Sequence, residues 1–130
     1  MKRTLAALVV SGGLVAGLLM PGIAQGANTY TSCNVLENRP DRDKSCVQGN
    51  PWGGVFIAKQ REGVRYKLCV RRPDGDRNCY RKRTGRAGEP SVVGFFGPSS
   101  PHLVGGYRFV WRSSGRVVDR DRFRLRSEGV

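Results

Sequence analysis

The sequence predicts an all-β domain built as a small antiparallel sandwich or barrel, and three observations predict it. From Val55 onward apolar and polar residues alternate in short runs, the period of a strand with one buried face. Glycine and proline clusters break these runs at roughly the 8–12-residue spacing of small β domains. No stretch beyond the leader sustains a helical period, so little helix is expected.

Residues 1–27 read as a cleaved secretory signal peptide. Lys2 and Arg3 precede an uncharged apolar run over residues 5–20, and residues 21–27 close it with small side chains. The run contains Gly12, Gly13 and Gly17 and falls short of the roughly 20 residues a membrane span needs. Cleavage after Ala24 and cleavage after Ala27 both fit the pattern. The first cysteine, Cys33, lies too far along to be lipidated at a new N-terminus. The expectation is a secreted, extracellular protein with no membrane span in the mature chain, residues 28–130 forming one domain.

Residues 28–54 are polar and rich in turn formers, with Asn38-Arg39-Pro40-Asp41 and Asn50-Pro51. They are expected to form an irregular N-terminal arm. The strands are expected in residues 55–130, near 55–60, 64–72, 76–83, 91–96, 106–112 and 116–126. The breaks between them fall at Gly63, at Pro73-Asp74-Gly75, between Gly85 and Pro90, between Gly97 and Pro101, and at Ser113-Ser114-Gly115.

The hairpin around Pro73-Asp74-Gly75 can be worked out to the residue. Proline and aspartate suit the two central positions of a type I turn, and glycine suits the left-handed position that follows. That geometry pairs Arg72 with Asp76, Arg71 with Arg77, Val70 with Asn78 and Cys69 with Cys79. The cysteines then occupy a non-hydrogen-bonded site, where side chains approach most closely. A Cys69–Cys79 disulfide follows, and Cys33–Cys46 by elimination. An even cysteine count in an exported chain reads as two disulfides; the spacings are too wide for a four-cysteine metal site. Across the short Cys33–Cys46 loop a bridge contributes about 3 kcal/mol in the chain-entropy model, which suits an arm with few apolar residues.

The same register sorts the hairpin into two faces. Val64, Tyr66, Leu68 and Val70 point to a core. Arg65, Lys67, Cys69 and Arg71 point away from it, opposite Arg83, Arg81, Cys79 and Arg77. Three like-charged pairs therefore flank one disulfide, an arrangement that is unfavourable by itself and that a bound anion would relieve. Overall the chain carries a net charge of +13, and +11 once Lys2 and Arg3 leave with the signal. Seventeen of the twenty-one remaining basic residues are arginine. Such charge attracts polyanions and keeps a protein soluble; an arginine-rich proteome would produce the same composition without a partner.

The segment Gly106-Tyr107-Arg108-Phe109-Val110-Trp111, followed by the Ser113-Ser114-Gly115 turn and a strand ending in Phe123-Arg124-Leu125, resembles the last hairpin of bacterial immunoglobulin-like β-sandwich domains. It is also similar to small exported proteins of actinobacterial type. The resemblance implies an immunoglobulin-like sandwich and no particular site. Cys69 and Cys79 are too close in sequence to form the usual bridge between the two sheets of antibody-type domains.

Little in the sequence points to catalysis. His102 is the only histidine and sits in a turn cluster, without a visible partner for acid–base work. No Gly-x-Ser-x-Gly nucleophile elbow is present. The pairs Asp41/Asp43, Asp74/Asp76 and Asp119/Asp121 lack the rest of a calcium loop and fit turns or strand ends. No cofactor is expected. Tyr107, Phe109 and Trp111 alternate with Arg108, Val110 and Arg112, which places the aromatics on one face and the arginines on the other. The aromatics therefore suit the core, and Arg108, Arg112, Arg122, Arg124 and Arg126 form a second exposed basic set. Trp52 fits either a cap on the core or a surface anchor. The leading reading is a noncatalytic module that binds an extracellular polyanion or cell-surface polymer through Arg65, Lys67, Arg71, Arg77, Arg81 and Arg83. A protein-binding module, such as an inhibitor of a secreted hydrolase using loops 33–46 or 97–104, is the alternative; an enzyme ranks third.

Overall fold

The computed structural model describes residues 26–96 and 103–128. Most of the leader and His102 lie outside the described residues. Eight strands follow in order: β1 (Ala27–Ser32), β2 (Ser45–Val47), β3 (Trp52–Ala58), β4 (Arg65–Arg71), β5 (Arg77–Arg83), β6 (Pro90–Phe95), β7 (Gly105–Ser113) and β8 (Arg116–Arg126). They form two sheets, one ordered β1-β3-β6 and the other β2-β8-β7-β4-β5. All pairs are antiparallel except β2 with β8. No helix among the described residues is long and apolar enough to cross a membrane.

The β4–β5 hairpin has the register its turn residues dictate. Cys69 faces Cys79, Arg65 faces Arg83 and Lys67 faces Arg81. Gly75 takes a φ of 92°, a left-handed conformation that glycine adopts at little cost. Asp74 accepts the Asp76 N–H at 3.0 Å and the Arg72 guanidinium at 2.9 Å, and Arg72 also reaches Asp76 at 2.8 Å. Those two contacts, the backbone amide first, hold the Asp74 carboxyl below its ordinary range. The β7–β8 connection is tighter still. Ser114 and Gly115 both have positive φ, 54° and 76°, as a two-residue hairpin twisted to match its strands requires.

The strand order is that of an immunoglobulin-like sandwich. β1, β3 and β6 stand where the fold places strands A, B and E. β4, β5, β7 and β8 stand where it places C, C′, F and G. A second mark is local: Tyr107, near the start of β7, donates its hydroxyl to the Leu103 carbonyl at 2.7 Å. A tyrosine near the start of strand F that bonds back to the backbone a few residues upstream is the tyrosine corner of these domains.

Two residues beyond that tyrosine, antibody domains carry one cysteine of the inter-sheet bridge. Here the position holds Phe109, fully buried. Opposite it on β3 stands Gly54, where an added Cβ would lie 2.8 Å from Leu68 Cδ2, 3.0 Å from Trp111 Cζ2 and 3.2 Å from Phe109 Cδ2. Leu68 and two aromatic rings from one sheet thus fill the space that a side chain on the other would occupy. Trp52 belongs to this core at 2% exposure, with ring centroids 4.7 Å from Tyr107, 4.8 Å from Phe95 and 5.1 Å from Phe123. Of the two roles open to it, the core is the one it takes.

The expected irregular arm, residues 28–54, is more ordered than its sequence suggests. It contains β2 and all of β1 except its first residue, Ala27, which falls within the expected leader, and β3 begins at Trp52 rather than Val55. β1 escapes sequence pattern reading because its buried residues are mostly hydroxylated. Thr29, Thr31 and Ser32 are buried, and each hydroxyl has a partner, as a buried polar group needs: Asp119, the Asp43 carbonyl and Asn34 respectively. The loop after β1 is tied down by Cys33 N–H to Asp43 at 2.8 Å, Tyr30 hydroxyl to the Pro40 carbonyl at 2.8 Å, and the Arg42 guanidinium 4.5 Å from the Tyr30 ring centre. The Cys33–Cys46 disulfide joins the end of β1 to β2, so it links the two sheets along one side.

Candidate functional site

The candidate site is the outer face of the five-stranded sheet. Each of its strands turns alternate residues inward, so the remaining residues share the opposite face. Tyr66, Leu68 and Val70 of β4, Tyr107, Phe109 and Trp111 of β7, and Phe123 and Leu125 of β8 are buried. The residues between them emerge on the outside.

Register then assembles these residues into rows that cross the strands, which lie about 4.8 Å apart. Arg77 faces Arg71, Arg71 faces Arg108, and Arg108 faces Arg122. The next row runs Cys79, Cys69, Val110, Arg120, and the one after it runs Arg81, Lys67, Arg112. Arg83 and Arg65 continue the face at its far end. Two cationic rows thus flank a short strip made by the disulfide and Val110.

A shallow open concavity covers part of this face. Arg71, Arg77, Arg108, Arg112, Arg120, Arg122 and Arg124 line it, with Lys44, Cys69 and Val110. Among the described residues that line it, the only carboxylate is Asp121, and Asp121 is paired with Lys44. Among the described residues the other ion pairs are those of Arg72 with Asp74 and Asp76, so no arginine of the rows is neutralised by an acid. Arg71 donates to the Gly75 carbonyl at 3.2 Å, and Arg77 approaches Cys69 Sγ at 3.8 Å.

The six residues singled out from the sequence, Arg65, Lys67, Arg71, Arg77, Arg81 and Arg83, share this face. Only Arg71 and Arg77 line the concavity. The arginines of β7 and β8, expected as a separate second set, are continuous with the first because β4 pairs with β7. Arg120 was not among the expected residues. The parity of Tyr107, Phe109 and Trp111 already turned Arg108 and Arg112 outward; what the local pattern lacked was the β4–β7 pairing, which an immunoglobulin-like order supplies.

Among the described residues the face has no exposed aromatic side chain, since Tyr107, Phe109 and Trp111 are buried. Burial raises the Tyr107 phenol to about 12, so it remains a neutral donor to the Leu103 carbonyl. The acids singled out as pairs have structural partners: Asp43 holds Cys33 N–H and Asp119 holds the Thr29 hydroxyl.

In comparisons with known proteins, no protein-family model matches the chain, and no curated protein matches it. Among solved structures, the chain is similar to an immunoglobulin-like protein from Pseudomonas aeruginosa, at 15% identity and a TM-score of 0.49, over 76% of this chain and 92% of that one.

Proposed function

We propose that the protein is an exported, noncatalytic module that binds an extracellular polyanion or anionic cell-surface polymer across the outer face of its five-stranded sheet. The observation that carries this reading is the row Arg77–Arg71–Arg108–Arg122, four guanidiniums on four adjacent strands with none in an ion pair among the described residues. Arginine forks fit phosphate, sulfate and carboxylate oxygens in pairs. A ligand lying across the strands would meet a cation at each one. Because no ring among the described residues stands on the face for a base to stack on, the recognised feature is the anionic backbone of the polymer.

The test is binding of the disulfide-intact mature protein to cell wall, heparin and DNA across a salt series. Each phosphate contact contributes about 0.7–0.9 to the slope of log K against log salt for a nucleic acid. Changing Arg71, Arg77, Arg108 and Arg122 together to Glu should abolish binding while leaving the fold intact. Retained binding in that variant, or equally weak binding of the native protein to all three polymers, overturns the reading. Export also makes a prediction about the leader. Lys59 N–H donates to the Gly26 carbonyl at 2.7 Å and Ala27 pairs with Ala58, so removal after Ala24 preserves β1 whereas removal after Ala27 trims it. N-terminal sequencing of the exported protein should begin at Gln25.

A protein-binding role is the second reading, favoured by one observation. The exposed large apolar residues Leu36, Phe96, Leu103 and Val104 belong to segments that leave the strands at one end of the sandwich. Ser32 faces Gly53, Phe95 faces Trp52, and Tyr107 rests on Trp52. Such a cluster, beside a loop held rigid by a disulfide, is suited to a partner protein. One-to-one binding that survives moderate salt, lost on changing Leu36 and Phe96 to Ser, would identify this end as the working surface.

A further inference from the structure

The two disulfides occupy opposite environments. Cys46 is 1% exposed and belongs to the core, with Cys33 packed against it. The Cys69–Cys79 bridge lies on the basic face. There Cys79 is exposed while Cys69 is 4% exposed.

Position in the sheet gives this second bridge a direction. β5 is the last strand in its sheet and β4 lies inside it. The bridge spans from β4 to β5, so its Cys79 sulfur belongs to the edge strand and its Cys69 sulfur to the inner one. A thiolate that cleaves a disulfide approaches in line with the bond it breaks. Approach to Cys79 is open from beyond β5. Approach to Cys69 has to come from above β7, where Val110 is its cross-strand neighbour.

Charge favours the same polarity. Arg71 and Arg77 lie on one side of the bridge, Lys67 and Arg81 on the other. An Arg77 guanidinium nitrogen stands 3.8 Å from Cys69 Sγ, where it would stabilise a departing thiolate. Cationic neighbours lower a thiol's pKa and make it a better leaving group.

We propose that Cys69–Cys79 is an exchange site for small anionic thiols, with Cys79 accepting the incoming sulfur and Cys69 leaving. In the first step the external thiolate bonds to Cys79 Sγ, the Sγ–Sγ bond breaks, and its electron pair stays on Cys69 as a thiolate beside Arg77. In the second step another external thiolate attacks the outer sulfur of the mixed disulfide. The small disulfide departs and Cys79 is left as a thiolate. Two external thiols are oxidised and one protein disulfide is reduced. The hairpin tolerates this because the backbone ladder and the turn at residues 73–75 also close it. β5 supplies the core only with the half-buried Tyr80. The site uses the charge of the proposed binding face but does not depend on any polymer binding there.

The test treats the intact native protein with three thiols of matched size, namely mercaptoethanesulfonate, mercaptoethanol and cysteamine, which are anionic, neutral and cationic. Rates are referred to thiolate concentration, and adducts are located by peptide mass mapping after an alkylating quench. The expected adduct is on Cys79, formed fastest by the sulfonate and slowest by cysteamine. The two rates should differ about tenfold or more at low salt and converge at high salt. Arg77→Gln should slow all three probes. Circular dichroism should show the sheet signal retained while Cys33–Cys46 is still closed. Adducts on Cys69, earlier opening of Cys33–Cys46, equal rates for the three probes, or loss of the sheet signal on opening Cys69–Cys79 alone would each overturn the proposal.

Discussion

The two faces of the five-stranded sheet are made by the same strands and differ in almost every physical respect. On the inside, Phe109 is fully buried, and its ring centroid lies 5.7 Å from that of Trp111, 6.2 Å from Phe123 and 6.3 Å from Trp52. On the outside, its sequence neighbour Arg108 lies between Arg71 and Arg122 and is exposed. The inner face holds the sandwich together through buried area and close packing. The outer face adds little to that, since exposed charges contribute at most about 1 kcal/mol per pair even when attractive. The packing that holds the sandwich together and the proposed binding surface thus lie on opposite sides of one layer, and substitutions can address either without the other.

The largest effect should come from the inner face. Phe109→Ala removes a ring enclosed by three others and should cost about 3–5 kcal/mol, read as a lowered midpoint in urea with the slope unchanged. A loss below about 1 kcal/mol would mean that the core collapses around the gap. An intermediate effect should appear in alkali. Burial raises the Tyr66 phenol to about 12, against the opposing influence of its Ser91 hydrogen bond, and raises Tyr107 to about 12 as well. The folded state therefore favours the neutral phenols. The stability tied to them is complete below the ordinary value of about 10 and is lost as pH climbs from there through about 12. Tyr66→Phe should shrink this alkaline loss relative to neutral pH, as followed by denaturation across that window. The smallest stability effect belongs to the outer face: Arg108→Gln and Arg122→Gln should each shift stability by no more than about 0.5 kcal/mol. Any larger destabilisation would show that the guanidinium stems help hold the sheet and would blur the division between the faces.

The hairpin from Arg65 to Arg83 was legible to the residue because its information is local. Proline, aspartate and glycine set the turn, the turn sets the register, and the register places Cys69 against Cys79. The alternation of Tyr107, Phe109 and Trp111 likewise assigned their faces. β1 was not legible, because Thr29, Thr31 and Ser32 are buried through hydroxyl partners elsewhere in the chain. Opposite Thr31 and Ser32 stand Gly54 and Gly53, which add no side-chain contrast. Nor could local pattern merge the two sets of arginines, since the pairing of β4 with β7 joins segments some forty residues apart and leaves no mark in either. The tyrosine corner was visible only as a tyrosine until Leu103 supplied its acceptor.

β5 also bears on how the protein behaves when concentrated. A strand at the margin of a sheet presents unpaired amides and carbonyls on which another chain can build. β5 meets that hazard with Arg77, Arg81, Lys82 and Arg83 in seven residues. Two copies aligned along this margin would bring like charges face to face, and the repulsion keeps them apart. Salt that screens the charge lowers that barrier, and a polymer bound as proposed would do the same, so colloidal behaviour and ligand saturation would be linked through one strand.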